Sequence, residues 1–87
     1  MTMENETVLR LVEAFMREHP HYAGTINRNA LERSLQQVQR DVLSGNYLAK
    51  TEDQLAVESN QAGIERNHYL DLVNLTAHAC ANRPLET

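Results

Sequence analysis

Residues 69–81, YLDLVNLTAHACA, restrict what the chain around them can fold into. Wound as a helix at 3.6 residues per turn, they confine Asp71, Asn74 and His78 to one narrow polar stripe, and the rest of the cylinder is apolar or small. A helix lining the core of a small monomer needs an apolar stripe only about 100° wide or a little more. The surplus must be covered by something.

Length sets how much covering one chain can supply. A single domain of 87 residues buries only about 60–65% of the surface its unfolded form exposes, so oligomerisation or partner binding adds burial that it can use. With 41% hydrophobic residues, no Trp, one Phe and three Tyr, the core is built from Leu, Val, Ile and Ala, which favours helices over sheet. The few glycines and prolines fall between periodic segments, which excludes an all-β sandwich.

Three segments carry the helical period. In MENETVLRLVEAFMREHP, the residues Val8, Leu11, Val12, Phe15 and Met16 share one face over about four turns. Glu4 and Glu6 suit the positive end of its dipole, and Pro20 ends it. HPHYAGT then reads as a connection. The second helix starts after Thr25 or Asn27 and stops where Gly45 takes a left-handed cap. Its Leu31, Leu35, Val38 and Val42 form a narrow seam, as in a helical hairpin or coiled-coil contact. The third segment opens on a capping box, Thr51 to Gln54, and runs to Arg83-Pro84. ESNQAG strings weak helix formers to a glycine, so a break is expected near 59–63.

Charge and motifs narrow the function. A net charge of −4 provides no basic field for a phosphate backbone. The single cysteine, Cys80, excludes an internal disulfide framework and fits a reducing compartment. Neither a leader-like N-terminus nor a run of 18 apolar residues is present, so a cytoplasmic protein that does not span a membrane is expected. Two Asn-x-Thr triplets, Asn5–Thr7 and Asn74–Thr76, are read as chance matches to the glycosylation pattern, since a glycan on the second would prevent packing.

Four histidines and a cysteine raise the question of a metal site. His19 and His21 flank a proline, whereas His78 and Cys80 point about 200° apart on a helix, so no ligand set is expected. There is no nucleophile elbow, phosphate-binding loop or zinc-protease motif, and Cys80 behaves as a small hydrophobe. The expectation is a non-enzymatic protein with no cofactor. The rival reading is DNA binding through Arg33, Gln37 and Arg40 on the outer face of the second helix, but residues 26–44 balance three arginines against Glu32 and Asp41.

The sequence therefore predicts an all-α, compact bundle of three or four helices with a long, mostly apolar C-terminal helix, oligomeric. One edge of that helix, Ile64, His68, Leu72, Leu75 and Ala79, is expected to meet a second chain, and Tyr69, Val73 and Cys80 the core. The partners expected are a second copy and a protein of basic character such as a transcription regulator, which an acidic module would inhibit or sequester. Size and charge suggest an antirepressor-like or antitoxin-like role. The alternatives are a DNA-binding helical regulator and a structural assembly module.

Overall fold

Each segment meets a local stop where its chemistry dictates one. The computed structural model describes residues 3–81, with side chains for residues 6–80, so the Glu4 and Asn5 side chains and the Arg83-Pro84 stop lie outside the described residues. Helix α1 spans Met3–Glu18, α2 Arg28–Ser44, α3 Glu52–Ala62 and α4 Arg66–Ala81, and a 3-10 turn, Pro20–Gly24, follows α1. No strand occurs among the described residues.

The caps explain the boundaries. The Asn27 side chain accepts a hydrogen bond from the Ala30 amide at the start of α2, and Gly45 closes that helix at φ 81°. Thr51 and Gln54 form the reciprocal capping box expected at α3. The third segment does break: Gly63 adopts φ 74°, a region open to glycine at no steric cost. The chain turns there and α4 begins three residues later. The final helix is thus 16 residues long, about the length of α1, not a thirty-residue rod.

The core is the inner face of all four helices. Val8, Val12 and Phe15 of α1 meet Leu31, Leu35 and Val38 of α2, Leu55 and Ala62 of α3, and Tyr69, Leu72 and Val73 of α4. Helices α2 and α4 each pack against the other three, which puts the narrow seam of α2 and the inner face of α4 at the centre of the bundle. Tyr22 and Ile64 complete the core from connecting segments. The segment HPHYAGT is therefore more than a connection, because its Tyr22 is buried.

Two connections are sewn together. The Asn27 amide donates to the Ala62 carbonyl at 2.7 Å, and the Thr25 hydroxyl donates to the Gly63 carbonyl at 3.4 Å. The approach is so close that a Cβ on Gly63 would lie 2.2 Å from the Thr25 carbonyl oxygen. No described helix is long and apolar enough to cross a membrane.

Candidate functional site

The last turn of α1 meets the first turn of α4, where the His19 and His68 rings stand 4.4 Å apart between centroids. From there the two helices run in opposite directions and leave a groove between them. Leu11, Ala14, Phe15 and Glu18 form one wall, His68, Asp71, Leu72 and Leu75 the other, and His19 closes one end; the volume is about 180 Å³. The wall residues repeat at i, i+3, i+4 and i+7 on both helices, the spacing of a helical face. Along α4 the groove opens into a shallower hollow bounded by Asp71, Asn74, Leu75 and His78.

The floor is apolar and the rim acidic. Glu18 and Asp71 are exposed on opposite walls, and neither lysine nor arginine lines the groove among the described residues. Elsewhere four cations are matched with carboxylates: Arg10 with Glu6, Arg28 with Glu13 and Glu32, Lys50 with Glu58, and Arg66 with Glu52. Leu75 stands 52% exposed in this trough; Leu48 and Val57 are more exposed, but Leu75 is flanked by the further apolar surface of the groove.

One end of the groove is held by a polar latch. Tyr22 Oη accepts the Glu65 amide hydrogen at 3.1 Å and lies 2.7 Å from His68 Nδ1. Donation of the tyrosine proton to Nδ1 puts the ring hydrogen of His68 on Nε2. Phe15, His19, His21 and Tyr22 stack around this point, so the 3-10 turn fixes the rotamer of a groove residue. The sequence reading missed this cluster because His68 is remote in the chain from His19, His21 and Tyr22; the one local hint was an aromatic in HPHY directly after a helix stop. Among the described residues, no group of three or more His, Cys, Asp or Glu side chains is placed to hold a metal ion.

A second polar network anchors the other side of α4. The fully buried Tyr69 donates its hydroxyl to Glu58 at 2.5 Å and lies 2.9 Å from the Ser34 hydroxyl; Glu58 is paired with Lys50 at 3.1 Å. Burial, then the Glu58 carboxylate, push the Tyr69 phenol well above its ordinary value. The unfolded chain loses this proton near pH 10 (about the free phenol value) while the folded chain keeps it. The stabilisation is therefore complete below about pH 10 and declines above it, by ~1.4 kcal/mol per pH unit from this group. Tyr69→Phe should cost about 1–3 kcal/mol at neutral pH, since a partly buried carboxylate loses its donor, and should flatten the alkaline decline. Urea denaturation at neutral and alkaline pH measures both.

The expected interface residues divide. Tyr69, Val73 and Cys80 are buried as the sequence suggests, but so are Ile64, 7% exposed, and Leu72, 2% exposed. The reason is the packing of the other helices on α4: Leu11 and Phe15 of α1 share the groove with Leu72, and the break at Gly63 lets α3 pack on both α2 and α4, so the chain itself supplies cover that the sequence assigns to a second chain. Leu75 and Ala79 remain exposed, and His68 is half-buried at the rim. The polar stripe of Asp71, Asn74 and His78 is exposed.

On α2, Arg33, Gln37 and Arg40 share the exposed face expected of them. Gln37 donates to Asp41 at 2.9 Å and accepts from Arg40 at 2.9 Å, so the polar groups of this face are partly engaged with each other and with a carboxylate. Comparisons with protein-family models, curated proteins and solved structures give no match to this chain.

Proposed function

We propose that this chain is a small, non-enzymatic protein-interaction module that self-associates and captures a basic partner through the α1–α4 face, holding a DNA-binding regulator away from its site. The observation that carries this reading is Leu75, half-exposed in an apolar trough whose two walls each present a carboxylate. An apolar floor supplies affinity and an acidic rim supplies orientation and faster encounter with a cationic surface. The reading needs no cofactor, and its setting is the cytoplasm.

The rival use of α2 on DNA has weaker support, because Arg40 is tied to Gln37 beside Asp41 and the chain as a whole carries −4. Affinity capture from the native cell separates the two. Wild type should retain a basic protein in a salt-sensitive manner, Leu75→Asp should lose it, and Arg33→Ala with Arg40→Ala should retain it. Salt-sensitive binding to duplex DNA that disappears in the double arginine variant would overturn the proposal.

A further inference from the structure

Resting on the reading of the α1–α4 face as a partner site, we infer that its occupant is a cationic amphipathic helix of the partner protein, laid along the groove as a further helix of the bundle. Three features select a helix. Both walls are helices whose side chains repeat at i, i+3, i+4 and i+7, so the hollows between them recur at the helical pitch of about 5.4 Å and accept ridges of the same pitch. The trough continues from His68 to His78, a rise of about 15 Å along α4, enough for nearly three turns of an opposing helix. No sheet edge exists among the described residues to receive an extended strand.

The deep part of the groove encloses about 180 Å³, and the hollow it opens into is shallower. The deep part suits an anchoring aliphatic or aromatic side chain, with Phe15, Leu72 and Leu75 as its surroundings and the latched His68 as one end wall. Sign follows from the rim. Glu18 and Asp71 lie on opposite walls with neither lysine nor arginine in the lining, so lysines or arginines on both flanks of the incoming helix each find a carboxylate. A second copy docked isologously through the same groove would instead bring both carboxylates of each chain into one interface with no lining cation to offset them.

The test uses the full chain and a synthetic peptide with leucines at i, i+3, i+4 and i+7 and lysines on both flanks. Titration should show saturable binding, a gain of helix in the peptide, and amide shift changes concentrated in residues 11–19 and 68–78. Glu18→Gln with Asp71→Asn should weaken binding about tenfold. Equal binding of a peptide with glutamates for the lysines, equal binding of one broken by a central proline, or shifts centred elsewhere would overturn the inference, as would no binding at all. Capture of a basic partner by wild type without peptide binding would remove the helical occupant and leave the interaction reading intact. Peptide binding without any captured partner would do the reverse.

Discussion

Val73→Asp is expected to unfold the domain. Val73 is 1% exposed at the contact of α4 with the rest of the core, with no cation among the core residues to meet a carboxylate. Burying that group unpaired carries an effective penalty of several kcal/mol. A domain of this length has a total stability of only about 4–13 kcal/mol, so one substitution consumes most of it. Circular dichroism should show loss of helix at room temperature. Leu75→Asp, two residues on but 52% exposed, should keep its helical spectrum.

Gly63→Ala is expected to have the next largest effect, and Gly45→Ala provides its control. Both glycines have positive φ, 81° at Gly45 and 74° at Gly63, so either alanine costs about 1–2 kcal/mol for the left-handed conformation alone. At Gly45 nothing lies within 4 Å of the added Cβ, and the cost should stop there. At Gly63 the Cβ would overlap the Thr25 carbonyl at 2.2 Å. Relief means moving the linker whose Asn27 amide is bonded to Ala62, so α3, α4 and the start of α2 are disturbed together. Urea denaturation of the pair should show a loss at Gly63 at least twice that at Gly45.

The helices were legible because their determinants are local. The seam of Leu31, Leu35 and Val38, the asparagine and threonine caps, the Gly45 stop and the break at Gly63 all act within a few residues, and all appear where the sequence places them. The site was only partly legible because it depends on which helix covers which face. Leu72 and Leu75 are three residues apart and equally apolar on paper; the core takes the first, at the base of the α1–α4 groove, and the second is left exposed in it. The α1 wall and the Tyr22–His68 latch escaped the sequence reading for the same reason, since residues 46 apart have no local pattern that joins them. Likewise Glu18 and Asp71 become a rim only once α1 and α4 lie side by side.

The central claim is that the α1–α4 trough around Leu75 is covered by a cationic helix of another chain. Sedimentation equilibrium of the wild type and of Leu75→Asp, each with the lysine-flanked peptide over a range of micromolar concentrations, measures this directly. The wild type, 9.9 kDa alone, should carry the peptide as a heavier complex, and the variant, still helical, should leave it free. A wild type that leaves the peptide free throughout, or a variant that binds it equally, would contradict the claim.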